Sequence, residues 1–210
     1  MLEDVVLVGG FLETIELCYL AEKRIIGIID NTHEDQLYDI PVLGKDADAA
    51  ILKYCIGNAK LILAPDQPSI RKKLFNLYSS IGYSFANLIS PRSNISPAAK
   101  VGNGVVIQSY VNISSNVKVG DFVKLNTCSN IMHDSSIGSF STIAPNAVVL
   151  GYVTIEEMCY IGANSTILPK MTIRHNTTIG AGCVVTKNHP ADSIIKGVPG
   201  RSKRKDTNEQ

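Results

Sequence analysis

Tryptophan is absent from this 210-residue chain, and aromatic residues make up only 6% of it. Hydrophobic residues still reach 45%. A core built from Ile and Val without large rings fits regular, narrow packing layers better than a typical β-sandwich. An excess of one charge is also missing. The net charge is +1, which argues against a nucleic-acid binder, whose footprint is a strongly basic face. No run approaches the ~20 apolar residues needed to span a bilayer. The N-terminus lacks the basic start and long apolar stretch of a signal peptide. The five cysteines (Cys18, Cys55, Cys128, Cys159 and Cys183) are odd in number and include no CxxC pair. Neither a disulfide framework nor a zinc site is expected from them. These absences lead us to expect a soluble, cytoplasmic protein with no metal, no membrane span and no nucleic-acid partner.

The first 88 residues alternate between short apolar runs and helical spacing. Val5 to Val8 reads as a buried strand ending at Gly9-Gly10, and Glu13 to Lys23 as a helix. Strands over 25–29 and 61–64, helices over 46–56 and 70–78, and a last strand over 83–88 complete the pattern. Such alternation predicts a parallel sheet with right-handed crossovers, a small Rossmann-like α/β domain. Ligands bind beyond the carboxyl ends of strands in these sheets. Gly9 and Gly10 permit close backbone approach, and Asp30 stands where a ribose or base hydroxyl would be recognised. A full GxGxxG is missing, however. A tight turn with a solvated Asp explains the same residues equally well.

From Ile89 the chain keeps a strict period of six. Every sixth residue from 89 to 185 is Ile, Val or Leu, seventeen positions without exception. Four residues after an anchor stands a second inward position, usually small or medium, such as Val105, Ser129, Cys159 or Cys183. One six-residue unit is a short strand plus a turn, and three units make a triangular coil of eighteen. A lone coil cannot bury its anchors, so coils must stack. Gly102, Gly120 and Gly138, and then Gly162 and Gly180, each follow an anchor at that longer period and read as corner residues. The repeat predicts a left-handed parallel β-helix with no interrupting loop. Cys159 and Cys183 are then packing residues rather than nucleophiles.

Folds of this repeat mostly carry acyl transfer from acyl-CoA. Four histidines are present: His33, His133, His175 and His189. No three of them converge within one chain, so zinc-dependent hydration is not supported. Acyl transfer to an amine needs a proton acceptor. His133 with Asp134 beside it supplies one, although a solvated His-Asp turn is the simpler reading of the pair alone.

The segment Asn126-Thr-Cys-Ser-Asn-Ile-Met-His133-Asp134-Ser-Ser-Ile-Gly138-Ser-Phe-Ser141, with the closing Gly197-Val-Pro-Gly-Arg201, resembles the sialic acid O-acetyltransferase and sugar-nucleotide 4-amino N-acetyltransferase family. The resemblance implies acetyl-CoA as cosubstrate and a nucleotide-linked amino sugar as acceptor. It implies His133 as general base, tuned by Asp134, with Asn126 positioning the sugar. It implies Gly10, Asp30 and Asn31 at the nucleotide, the N–H of Gly151 at the thioester oxygen, and Ala163 and Ala181 along the pantetheine arm. It also implies a homotrimer with active sites between subunits. Two departures stand out. Thr142 occupies the place of a second histidine near the acetyl group. Phe11-Leu12-Glu13 replaces the small residues usual after the first glycines.

The expected organisation is a Rossmann-like nucleotide-sugar-binding domain over 1–88, a β-helix acetyltransferase domain over 89–187 and a C-terminal tail over 188–210. The basic run Arg201, Lys203, Arg204 and Lys205 in that tail reads more readily as a frayed, solvated end than as a CoA contact. The expected function is N-acetylation of the 4-amino group of a UDP-, dTDP- or GDP-linked dideoxy sugar for bacterial surface polysaccharide or glycan synthesis. The alternatives are O-acetylation of a sialic-acid-like sugar and a non-catalytic scaffold.

Overall fold

The computed structural model describes residues 2–205. The chain opens with β1 (Glu3–Val8), α1 (Leu12–Leu20), β2 (Lys23–Ile29), β3 (Gln36–Leu37), β4 (Ile40–Gly44), α2 (Ala49–Cys55), β5 (Lys60–Leu63) and α3 (Pro68–Ser80). The sheet order is β3-β4-β2-β1-β5. β1 pairs in parallel with both β2 and β5, and its run from Val5 to Val8 is buried on both faces, as a central parallel strand requires.

Two details differ from the sequence expectation. The hairpin β3–β4 was not anticipated. Its turn residues Tyr38 and Asp39 both have positive φ, the geometry of a tight two-residue hairpin usually signalled by Asn-Gly, and Tyr-Asp hides that signal. The strand expected over 83–88 is reduced to one bridge between Phe85 and Leu61. Leu88 already belongs to the repeat.

Seventeen two-residue strands follow, from Leu88–Ile89 to Val184–Val185, each ending on an anchor. Each pairs with the strand eighteen residues away, as in Asn112↔Asn130 and Ile113↔Ile131. Three faces result. The first carries Val106–Ile107, Lys124–Leu125 and Thr142–Ile143. The second carries Asn112–Ile113 and Asn130–Ile131. The third carries Lys100–Val101, Lys118–Val119 and Ser136–Ile137. The anchors and the second inward set fill one continuous core, with Val105, Ser129, Ser141, Cys159 and Cys183 fully buried. Burial pushes the Cys159 thiol up to about 12, which keeps it protonated and inert.

The corner glycines have a different cause from the one expected. The positive φ of each of these corners falls two residues later, at Gly104, Phe122, Phe140, Asn164 and Gly182. A Cβ on Gly138 would lie 2.5 Å from the backbone of Glu156 and Glu157. Glycine is needed there because the next coil passes too close for a side chain.

Up to Lys205 the tail is also more ordered than a frayed end, and its residues 206–210 lie outside the described residues. β23 (Ser193–Lys196) joins the first face in parallel, and β24 (Arg201–Arg204) folds back antiparallel as the edge strand. The Lys205 amine donates to Asn176 at 3.0 Å. Among the described residues no helix is long and apolar enough to cross a membrane.

The opening α/β unit sits on the first face. Phe122 and Phe140, stacked at 5.2 Å on successive coils, meet Phe75 and Phe85. Arg71, only 1% exposed, locks the seam. Its guanidinium donates to the carbonyls of Phe122, Phe140 and Ser141 on the prism and of Pro65 and Asp66 in the loop after β5.

Candidate active site

His133 and Asp134 form one corner of the prism, where the second face turns into the third. The corner is built by stacking. Asp134 N–H donates to Ser115 O, Tyr152 N–H to His133 O and Lys170 N–H to Gly151 O, all at 3.0–3.1 Å. Asn116, Asp134, Tyr152 and Lys170 thus lie one above another, each with positive φ. The repeat demands this conformation at nearly every corner, so the backbone alone flags no function.

The side chains are more telling. Asp134 Oδ2 lies 2.9 Å from His133 Nδ1, and Asn116 Nδ2 donates to Oδ1 at 3.1 Å. The hydrogen bond from His133, then that from Asn116, holds the Asp134 carboxyl below its ordinary range, with Tyr152 adding to the effect. An ionised carboxylate only accepts, so Nδ1 carries the hydrogen and in the neutral ring Nε2 is the nitrogen with the lone pair. Tyr152 presses edge-to-face on the imidazole at 5.3 Å. Gly151 lies against the ring as well: a Cβ there would be 2.8 Å from Cε1 and 2.9 Å from Nε2. Among the described residues its N–H has no backbone acceptor. The corner therefore presents an oriented basic nitrogen next to an unengaged donor.

A second group gathers at the carboxyl ends of β1, β2 and β5. Chain crossovers leave β1 in opposite directions, and ligands favour the crevice at such a switch point. Gly10 N–H donates to Asp30 Oδ2 at 2.8 Å. Asp30 Oδ1 receives the Thr32 N–H and hydroxyl at 2.8 and 2.6 Å, with the His33 N–H and ring beside it. Burial pushes this carboxyl up, but the hydrogen bonds from Thr32, Gly10 and His33 outweigh it and hold it well below the usual range. Asn31 exchanges two hydrogen bonds with Asp46, at 2.7 and 3.0 Å. Both residues thus shape the loop through internal bonds. Phe11 packs over Gly9 and is half exposed.

Asn126 is 4% exposed on the first face, and its amide reaches Asp66 at 3.4 Å. Asp66 also pairs with the buried Lys124 at 2.8 Å. Sequence reading missed Asp66, Lys124 and Arg71, which become meaningful only once the two halves are docked. It missed Tyr152 too, although that residue lies one coil period after Asp134 and is recoverable from the repeat. Thr142 requires a correction. It is fully buried and its hydroxyl donates to Asp66 O at 2.6 Å, so it joins the two halves and offers no surface to a cosubstrate. Ala163 and Ala181 stack on a different corner from His133, one coil apart, with Gly182 N–H donating to Ala163 O. Beneath them, Glu13 of α1, Gln108 and Thr127 line a pocket of about 410 Å³ between the helix and the prism.

Within one chain the structure thus brings together His133, Asp134 and Gly151, and separately Gly10 and Asp30. It does not bring the first group to the second, because the α/β unit packs on the first face and the His133 corner joins the other two. Among the described residues no cluster of metal-ligating side chains occurs.

Residues 152–187 match the bacterial transferase hexapeptide (six repeats) family model. No curated protein matches the sequence. The whole fold is shared with solved structures. PerB from Caulobacter crescentus, in complex with CoA and GDP-perosamine, is 28% identical, with 97% of this chain and 98% of that one covered and a TM-score of 0.90. A variant of GDP-perosamine N-acetyl transferase from Caulobacter crescentus is 27% identical, with 98% and 99% covered and a TM-score of 0.92. The acetyltransferase domain of PglB from Neisseria gonorrhoeae, 22% identical with 96% and 100% covered and a TM-score of 0.89, shares the fold. The prism is therefore of the left-handed hexapeptide class, and the resemblance to sugar-nucleotide N-acetyltransferases extends to the whole chain.

Proposed function

We propose that the chain is an acetyl-CoA-dependent N-acetyltransferase acting on the 4-amino group of a nucleotide-linked dideoxy sugar. The observation that carries this reading is the His133–Asp134 pair set against Gly151, on a fold shared end to end with a protein holding CoA and GDP-perosamine. The thioester of acetyl-CoA supplies the acetyl group. His133 Nε2 takes the proton that the sugar amine loses as it attacks, and Asp134 holds the ring in the required tautomer. The Gly151 N–H donates to the oxygen on which negative charge builds. The small corner residues Ala163 and Ala181 leave room for the pantetheine arm. Gly10 and Phe11 receive the nucleotide in the switch-point crevice, and Asp30 and Asn31 order the loop around it.

Because the crevice and His133 lie on different sides of one chain, a complete site needs a second copy. The assembly is a homotrimer in which one subunit holds the nucleotide and its neighbour supplies the base. The setting is cytoplasmic, in the assembly of bacterial surface glycans.

The test is thiol release from acetyl-CoA against UDP-, dTDP- and GDP-linked 4-amino-4,6-dideoxy sugars. Turnover with one member is expected, and His133→Ala should lower it by about a hundredfold or more. Near-normal turnover in the variant would remove His133 from the chemistry. Silence of the wild type across the panel would sink the acceptor assignment.

A further inference from the structure

Lys100 and Lys118 stand directly opposite each other on neighbouring strands of the third face, Lys118 paired in register with Lys100. Both are exposed. Like charges facing each other across a ladder destabilise it, and among the described residues neither lysine has a carboxylate within ion-pair reach. The outward positions that continue the same column are the neutral Ser136, Thr154 and Thr172. The two charges are thus confined to the coils on the N-terminal side of the His133 corner. They also share a cavity with it. A groove of about 490 Å³ is lined by Lys100, Lys118, Asn116, Asp134 and Ser136. Asp134 does not neutralise the lysines, since its two oxygens are engaged by His133 and Asn116.

We propose that Lys100 and Lys118 form the subsite for the diphosphate of the acceptor. This inference rests on the functional reading above and adds to it the residues that read the charged part of the substrate. An acceptor bound by the α/β unit of one copy must reach His133 of another. The segment joining its nucleoside to its sugar is a diphosphate carrying two negative charges. The diphosphate is the part of the acceptor next to the sugar, so with the sugar amine at the His133 corner it lies in the groove that Lys100 and Lys118 line together with Asp134. Two ammonium groups, already paired in register and without internal partners, meet it with charge-assisted hydrogen bonds. The contact offsets the like-charge repulsion that the empty column bears.

The test uses the full-length protein and a double substitution, Lys100→Gln with Lys118→Gln, at two surface positions where no packing is lost. Titration calorimetry with UDP, dTDP and GDP in turn should find one that binds the wild type. Its affinity should fall by roughly tenfold or more in the variant and lose part of its salt dependence, while acetyl-CoA binds both proteins equally. Equal nucleoside diphosphate affinity in the two proteins would overturn the proposal, as would failure of all three to bind the wild type. Loss of the oligomer in the variant, read by light scattering, would overturn it too, because the lysines would then be holding a second copy. Lysine-dependent diphosphate binding without transfer to any amino sugar would leave the subsite standing and reject the acetyltransferase reading.

Discussion

Gly151 shows how little freedom the candidate base has. A methyl group there would stand 2.8 Å from the His133 ring, so Gly151→Ala must turn the imidazole away from Asp134 or from the groove. Displacements near 1 Å cost on the order of a hundredfold in rate, and kcat should fall by at least about tenfold while the melting temperature barely moves. Asp30 gives the opposite case, in which stability is the readout. Its folded pKa is depressed, so its contribution to stability is complete above the unfolded value of about 3.9 and is lost as pH falls toward the folded one. Asp30→Asn should cost about 2 kcal/mol at pH 7. In thermal melts the gap between the two proteins should be constant from pH 7 to 5 and narrow below about pH 4. A gap that widened in acid would mean that the carboxylate is not what ties Gly10 to Thr32. At this scale the sequence was half legible. His133, Asp134 and Gly151 were recognised, and they meet. Thr142 was assigned to the cosubstrate because one chain position says nothing about what docks on it, and Asp66 was passed over for the same reason.

Arg71 belongs to the scale of elements, since α3, the loop after β5 and two prism coils depend on it at once. Replacing it with Ala strips donors from five carbonyls, three of them on the prism. Buried unsatisfied acceptors are costly, and a loss of about 3 kcal/mol or more is expected in denaturant unfolding. That corresponds to a fall of roughly 10 °C in Tm. A loss under about 1 kcal/mol would show that the aromatic stack of Phe75, Phe122 and Phe140 holds the seam by itself. The prism was readable to the residue because each anchor repeats one local rule seventeen times over. The α/β unit was readable only in outline. The Tyr38-Asp39 turn and the short β3 and β4 carry weak local signals, and Tyr83 to Phe85 were drawn into irregular contacts by their place at the seam.

At the scale of the molecule, a β-helix has a hazard that globular folds avoid. A stack that adds one coil by pairing with the last leaves an open end with the same appetite, and two such ends can meet. In this chain β24 runs antiparallel along the edge of the first face and places Arg201, Lys203 and Arg204 on the outside, all exposed. Its direction is wrong for another coil to continue the ladder, and its charge repels a second copy of itself. A protein truncated after Lys196 should still show strand-rich circular dichroism, but light scattering should reveal concentration-dependent end-to-end association. A truncated protein that stays at the wild-type size would assign the guard to another part of the surface. The basic hairpin then acts as a terminator of polymerisation on the first face, at the C-terminal end of the stack.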